Sequence, residues 1–130
     1  MPVILLIDDD EFFRETLAEA LGYRGFVVRQ AGDGESGLKF FRAQPADLVL
    51  TDVVMPNQDG TALFGALRRD FPGVGIIAMS GGGAHNPELY LKIADRFGAD
   101  RTLLKPFDLP TLLTAIAEVL AATGGDRLPS

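Results

Sequence analysis

Five short apolar runs recur along the chain, and the segments between them carry apolar residues at helical spacing. The runs are Val3 to Ile7, Phe26 to Arg29, Leu48 to Thr51, Val74 to Met79 and Thr102 to Leu104. Several of them, such as "VILLI" and "GIIAM", are apolar without alternation, which is typical of strands covered on both faces of a parallel sheet. The pattern predicts an α/β fold with a doubly wound, five-stranded parallel sheet and five helices.

Polar residues mark where the helices begin. Asp10 and Glu11 follow the first strand, Asn86 precedes a proline, and Asp108 lies two residues before Pro110, which is the usual order of an N-cap and a first turn. The last seven residues, "GGDRLPS", have the composition of a loop. We expect one domain over residues 1–123 and a short C-terminal tail over residues 124–130.

Composition narrows the class of protein. The chain has 130 residues, a net charge of −6 and no cysteine. The acidic balance argues against direct nucleic-acid binding, which needs clustered Lys and Arg. The absence of cysteine excludes thiol chemistry, and the N-terminal apolar run is too short for a signal peptide or a membrane span. We expect a cytoplasmic protein without a membrane-inserted segment.

Reactive side chains follow four of the five predicted strands. Asp8 and Asp9 follow the first, Asp52 the third, Ser80 the fourth and Lys105 the fifth. In open α/β sheets these strand ends share the rim where ligands bind. Two carboxylates about 4 Å apart repel by roughly 4 kcal/mol at an effective dielectric constant of about 20, so the acids need a compensating cation. Oxygen ligands without cysteine favour Mg²⁺ or Mn²⁺ over zinc.

Such a site is equipped for phosphoryl transfer. A divalent cation and a lysine can neutralise the oxygens of the transferred group, and an aspartate can act as the nucleophile. The residue types therefore predict an aspartyl-phosphate site.

Five motifs at these positions resemble the receiver domains of two-component response regulators. They are "ILLIDDDEFFRETL", "GDGESGL", "ADLVLTDVVMPNQDG", "IIAMSG" and "LLKPF", in the family's order and spacing over almost the whole chain. The resemblance implies a flavodoxin-like fold with sheet order 2-1-3-4-5. It also implies a phosphoacceptor signalling module that assists only its own phosphorylation and dephosphorylation, and is not otherwise an enzyme.

The resemblance also implies roles for the acidic positions. Asp52 corresponds to the phosphoacceptor, and Asp8 and Asp9 to the acidic pair that holds Mg²⁺ together with Asp52. The backbone carbonyl of Val54 corresponds to a further metal ligand.

Three more positions take roles from the same resemblance. Ser80 corresponds to the hydroxyl that binds the phosphoryl group, and Lys105 to the lysine that contacts this group. The resemblance also implies that the Lys105-Pro106 bond is cis. Thr102 departs from the family, because an aromatic residue usually stands there and takes part in the switch. The signal is then read out in another way, for which the backbone after Ser80 is a candidate.

The family further implies which partners the chain meets. A histidine kinase or a phosphotransfer protein supplies the phosphoryl group, and the surface of the fourth helix, fifth strand and fifth helix then changes for a separate, unidentified target. In the pairs Phe12-Phe13 and Phe40-Phe41 adjacent residues cannot share one helix face, so one of each is expected in the core. Phe12 is a candidate for the kinase contact.

Alternatives remain open at the level of the sequence. Asp8 with Asp10 resembles the D-x-D of haloacid-dehalogenase-like phosphatases, which would make Asp8 the nucleophile, and a receiver that serves only as an unphosphorylated scaffold is the other alternative. Gly32 to Gly37 matches a dinucleotide-binding pattern, but it follows the second strand and carries acids where phosphates would lie. His85, in a glycine-rich segment expected to be mobile, is expected to be an exposed polar residue.

Overall fold

In the part of the chain that the structure describes, the five strands of the main sheet alternate with five helices, as predicted. The computed structural model describes residues 2–55, 58–59, 61–81, 86–96 and 98–127. The elements are β1 (Val3–Ile7), α1 (Glu11–Tyr23), β2 (Val27–Ala31), α2 (Gly34–Ala43), β3 (Leu48–Asp52), β4 (Val54–Met55), β5 (Gln58–Asp59), α3 (Thr61–Asp70), β6 (Gly75–Ser80), α4 (Pro87–Arg96), β7 (Arg101–Leu104) and α5 (Leu109–Arg127).

The main sheet has five parallel strands in the order β2-β1-β3-β6-β7. Counted within this sheet, the order is the predicted 2-1-3-4-5, so the predicted topology is confirmed. The predicted bounds of β1 agree with the structure, and those of the other four strands differ by one or two residues at one or both ends. The structure adds an antiparallel pair, β4 with β5, which was not predicted because strands of two residues carry no readable periodicity.

Both faces of the sheet are buried, which is why its central strands are apolar without alternation. In β1, Leu5 and Ile7 face the core on the side of α2, α3 and α4, whereas Ile4 and Leu6 face the core on the side of α1 and α5. Successive side chains of a strand point to opposite faces, so each face receives every second residue. The large side chains without exposed surface include Phe64, Leu67, Ile76, Ile77, Leu21, Leu48 and Leu50.

Predicted capping residues begin three helices. Asn86 Oδ1 accepts a hydrogen bond from the backbone N–H of Leu89 at 3.1 Å, and Asp108 Oδ1 accepts one from Thr111 at 2.8 Å. Asp10 caps α1 in the same way. Because the first N–H groups of a helix have no intrahelical partner, these caps fix where the chain leaves each strand-end loop.

The C-terminal end corrects one expectation. Helix α5 continues to Arg127, so residues 124–127 are helical and do not form the predicted loop. Glycine costs a helix about 1 kcal/mol per residue relative to alanine but keeps its backbone N–H, so the pair after Thr123 weakens the helix without ending it. Residues 128–130 lie outside the described part of the chain, and a domain boundary at 123 stays a prediction.

Candidate functional site

The carboxyl ends of β1 and β3 place two aspartates side by side. The parallel register pairs Ile7 with Thr51. Asp8 and Asp52 therefore follow at the same level of neighbouring strands. Asp8 has no exposed surface and Asp52 has 5%. A buried carboxylate loses its hydration, so both side chains need hydrogen-bonding or charged partners.

The ammonium group of Lys105 lies between these two carboxylates. Its Nζ donates to Asp8 Oδ2 at 2.8 Å and to Asp52 Oδ2 at 3.3 Å. Burial lowers the pKa of Lys105, but the hydrogen bond to Asp8 and the charges of Asp52 and Asp8 outweigh burial, so the pKa lies above its ordinary value of 10.5. Lys105 is therefore fully protonated at neutral pH and supplies a fixed positive charge at the rim.

Asp9 completes a trio of carboxylates. Asp8, Asp9 and Asp52 each offer one oxygen, and these oxygens lie within 4.8 Å of one another. Asp9 is exposed, so the trio opens to solvent on its side. An all-oxygen set at this spacing fits a hard divalent cation. The trio could therefore hold a metal ion, as predicted.

Ser80 ends β6, the strand next to β3. Its neighbour Met79 pairs with Asp52, so Ser80 lies one residue beyond the level of the acid. Ser80 is fully buried, and its Oγ has no hydrogen-bond partner among the described residues. A buried hydroxyl without a partner costs free energy, so this hydroxyl is available to a ligand at the rim.

The segments that carry Ser80 and Lys105 approach each other closely. Lys105 N donates to Ser80 O at 2.7 Å, and the Lys105-Pro106 bond is cis, as predicted. Gly81 has φ +142°, and a Cβ placed there would lie 2.8 Å from the Cβ of Lys105 and 3.0 Å from its carbonyl oxygen. Only glycine fits this position without displacing the lysine.

Two other predicted positions lie in β4 and β7. Val54, two residues past Asp52, begins β4 and pairs with Asp59. Its carbonyl as a metal ligand stays a prediction. Thr102 is half-buried in β7, where it pairs with Ala78.

Sequence reasoning missed two residues that contact the site. Arg14 Nη1 donates to the carbonyl oxygen of Asp8 at 2.7 Å, and its Nε donates to Gln30 at 3.1 Å, which ties α1 to the ends of β1 and β2. The ring of Phe13 lies 4.3 Å from Lys105 Nζ, measured to its centroid. Only their position in the sequence could have indicated these contacts. Both residues lie in the first turn of α1, directly after the acids, where side chains lean back toward the strand ends.

The phenylalanine pairs divide as predicted. Phe12 is 80% exposed and Phe40 is 47% exposed, whereas Phe41 is buried and Phe13 is half-buried. Phe12 lines an apolar groove whose other lining residues are Asp10, Phe13, Thr16, Leu17, Ala20, Phe107 and Leu109.

The structure also bears on the dinucleotide-binding pattern. Asp33, inside that pattern, caps α2 by accepting from the N–H of Ser36 at 2.7 Å. The segment is therefore a turn followed by a helix start, and the Asp33 carboxylate accepts from an N–H group that a phosphate would need. His85 and the glycine-rich stretch over residues 82–85 lie outside the described residues, so the expectations for them stay predictions.

Comparisons with known proteins identify the family of the chain. A family model described as "Response regulator receiver domain" matches residues 4–117. The transcriptional regulatory protein CseB of Streptomyces coelicolor is 38% identical over 128 residues, covering 95% of this chain and 53% of that protein. The chemotaxis protein CheY of Halobacterium salinarum is 34% identical over 119 residues, covering 92% of this chain and 97% of that protein.

Solved structures of receiver domain proteins have the same fold as this chain. A CheY-like response regulator receiver domain protein from Methanospirillum hungatei superposes with a TM-score of 0.86 at 25% identity, covering 97% of this chain and 98% of that one. Vibrio cholerae CheY4 superposes with a TM-score of 0.81 at 26% identity, covering 92% and 99%.

Fold and site together define the class of the protein, a phosphoacceptor signalling module. The chain belongs to the response regulator receiver domain family. Neither the phosphatase nor the scaffold alternative is favoured by these likenesses. The chain spans only 53% of CseB and 41% of the Pseudomonas aeruginosa activator PfeR, but nearly all of the archaeal CheY. None of the helices in the described residues combines the length and apolar character that a bilayer crossing needs.

Proposed function

We propose that Asp52 accepts a phosphoryl group from the phosphohistidine of a histidine kinase or a phosphotransfer protein. The observation that carries this proposal is the Lys105 ammonium, which lies between the buried carboxylates of Asp8 and Asp52. Such an arrangement supports phosphoryl transfer because the Lys105 ammonium already neutralises part of the acid cluster and can bind the oxygens of the incoming phosphoryl group.

A divalent cation belongs to the proposal. Asp8, Asp9 and Asp52, with the carbonyl of Val54, would hold Mg²⁺ or Mn²⁺, and the close spacing of the three carboxylate oxygens supports this donor set. When bound, the cation supplies positive charge to the phosphoryl oxygens and lowers the repulsion among the acids.

The residues of the chain then perform a simple transfer. An oxygen of the Asp52 carboxylate forms a bond to phosphorus as the N–P bond of the phosphohistidine breaks, and the imidazole keeps the electron pair. Lys105 Nζ and the Ser80 hydroxyl bind phosphoryl oxygens on the product. Attack of water on phosphorus later releases inorganic phosphate and restores the carboxylate. The protein is thus a phosphoacceptor that assists its own phosphorylation and dephosphorylation, and no other substrate is converted.

Output passes to a separate protein in this proposal. The surface of α4, β7 and α5 adjoins the Ser80 and Lys105 segments, so ligand binding at the rim can change it. Thr102 in β7 offers no aromatic ring to couple to Ser80, which leaves the backbone after Ser80 as the route. Neither nucleic acid nor a membrane is a proposed partner, and the cytoplasm stays the predicted location.

Phosphorylation by a small donor tests the proposal. Acetyl phosphate with Mg²⁺ should modify Asp52, as read by intact-mass spectrometry and peptide mapping, and beryllofluoride should bind in its place. Asp52→Asn should abolish both reactions. Asp8→Ala should reduce them through weaker metal binding, an effect that higher Mg²⁺ concentrations partly reverse.

Two outcomes would contradict this assignment. Modification that persists in Asp52→Asn would show that another residue is the acceptor. Modification that maps to Asp8 in the wild type would revive the phosphatase alternative. Asp70→Asn is a suitable control, because Asp70 is an exposed carboxylate on α3 paired with Arg42 and Arg69.

A further inference from the structure

Lys105 has a third neighbour besides the two carboxylates. Its Nζ lies over the ring of Phe13, 4.3 Å from the centroid. This distance is within the range over which an ammonium is attracted to the negative face of an aromatic ring. The side chain of Lys105 is 13% exposed, so water screens the contact only weakly.

Phe13 is held in place from two sides. Its backbone N–H donates to the capping carboxylate of Asp10 at 3.1 Å, which fixes the first turn of α1. Its ring meets Phe107 edge to face, with centroids 6.2 Å apart and an interplanar angle of 85°. Phe107 lies two residues past Lys105 in the chain. The ring therefore connects α1 with the segment that carries the lysine.

The Phe13 ring can attract the Lys105 ammonium when the carboxylates at the rim bind another cation. The lysine side chain has four flexible carbons, so its ammonium needs partners to stay in one place. The two carboxylates hold the ammonium strongly only when no other cation binds them. A divalent cation on the acid trio would compete for that charge and repel Lys105. The attraction of the ring face would remain, because the ring takes no part in metal binding.

We propose that Phe13 is a positioning residue that keeps the Lys105 ammonium at the rim when the acid trio carries a divalent cation. The inference rests on the proposed function for its effect on phosphorylation, whereas the contact of ring and ammonium stands without it. In this arrangement the lysine is in place before the phosphoryl group arrives, and less ordering remains for the reaction itself.

A graded change of the ring's electrons tests the proposal. Phe13 is replaced by mono-, di- and trifluorinated phenylalanines, which keep the shape of the ring and progressively weaken its negative face. The apparent affinity for beryllofluoride and the rate of modification by acetyl phosphate should fall stepwise. Phe13→Leu should lower both by roughly three- to tenfold, the loss expected for one partly buried cation–π contact. Phe40→Leu, a change of the same type on the exposed face of α2, should leave both unchanged.

Nuclear magnetic resonance supplies a readout that does not depend on phosphorylation. Protons next to Lys105 Nζ should show an upfield ring-current shift in the wild type with and without Mg²⁺, and this shift should vanish in Phe13→Leu. If the protons next to Lys105 Nζ in the Mg²⁺-loaded wild type had the chemical shifts of a lysine without a nearby ring, the proposal would be overturned. A Phe13→Leu defect without any trend in the fluorinated series would also overturn it, because Phe13 would then contribute packing alone. Failure of the wild type to be modified at Asp52 would instead contradict the proposed function.

Discussion

Three consecutive aspartates at the end of β1 have different surroundings and different tasks. Asp8 is buried and bonded to Lys105, so its charge is compensated inside the protein. Asp9 faces solvent and offers an oxygen to the acid trio. Asp10 points away and caps α1. Three consecutive residues therefore pass from a buried, compensated charge to an exposed carboxylate of the acid trio to a helix cap.

Gly81 carries a prediction at the scale of one residue. Gly81→Ala forces a Cβ against the backbone of Lys105 at a φ that L residues rarely adopt. We expect a loss of about 1–3 kcal/mol in the free energy of unfolding and weaker beryllofluoride binding, because the Lys105 segment must shift. Urea denaturation and a beryllofluoride titration measure the two effects.

Gly65→Ala is the matched control for that substitution. Gly65 lies within α3, and a Cβ there meets no atom within 4 Å. Because alanine is the better helix former, this variant should be more stable by about 0.5–1 kcal/mol and should bind beryllofluoride normally. Normal stability and binding in Gly81→Ala would show that the Lys105 segment yields without cost.

At the scale of elements, one arginine ties together three segments at the end of the sheet opposite the site. Arg68 of α3 donates to the carbonyl oxygen of Gly98 at 2.9 and 2.7 Å, to that of Val74 at 2.6 Å and to Asp100 Oδ2 at 2.8 Å. Asp100 in turn accepts from the N–H of Ile76 at 2.8 Å. The guanidinium fork thereby links α3 to the start of β6 and to the loop before β7.

Removing that link should loosen the edge of the sheet. Arg68→Met should lower the free energy of unfolding by about 2 kcal/mol, since several hydrogen bonds to backbone carbonyls are lost together. Arg69→Met should remain close to the wild type, because Arg69 is exposed and pairs only with its neighbour Asp70 among the described contacts. Urea denaturation monitored by circular dichroism measures both. Equal stability of the two variants would contradict the role given to Arg68.

At the scale of the whole molecule, the sequence predicted the fold because its apolar runs report burial on both faces of a sheet. It also predicted Asp8, Asp52 and Lys105 as neighbours, because parallel strands end at one rim. It could not predict that the ring of Phe13 lies over Lys105, since that contact depends on how α1 packs against the segment after β7. Nor could it predict the β4-β5 pair, which is too short to leave a pattern.

Binding of Mg²⁺ should increase the free energy of unfolding of the whole domain. Mg²⁺ that binds only the folded chain should raise the melting temperature. At a Mg²⁺ concentration one hundred times its dissociation constant, the free energy of unfolding should increase by about 2.7 kcal/mol. Asp9→Asn should be more stable than the wild type by about 1 kcal/mol without metal, because one exposed charge leaves the trio, and should gain less from Mg²⁺. Thermal unfolding with chelator or Mg²⁺, at ionic strength matched with NaCl, measures both.

A lack of response would contradict the convergence of the acids. If neither Mg²⁺ nor Asp9→Asn changed the melting temperature, the three carboxylates would not share a site in solution. A rise with NaCl as large as that with Mg²⁺ would indicate general screening of charge.

The ion pair between Asp8 and Lys105 joins residues 97 positions apart and crosses from a central strand to the segment after the edge strand β7. During synthesis the acids leave the ribosome long before the lysine that compensates them. An intermediate without β7 holds two aspartates at adjacent strand ends without the Lys105 ammonium, and burial of those charges is then less favourable. Strand β7, which comes last in chain order within this sheet, therefore completes both the sheet and the site, and an intermediate without β7 has neither.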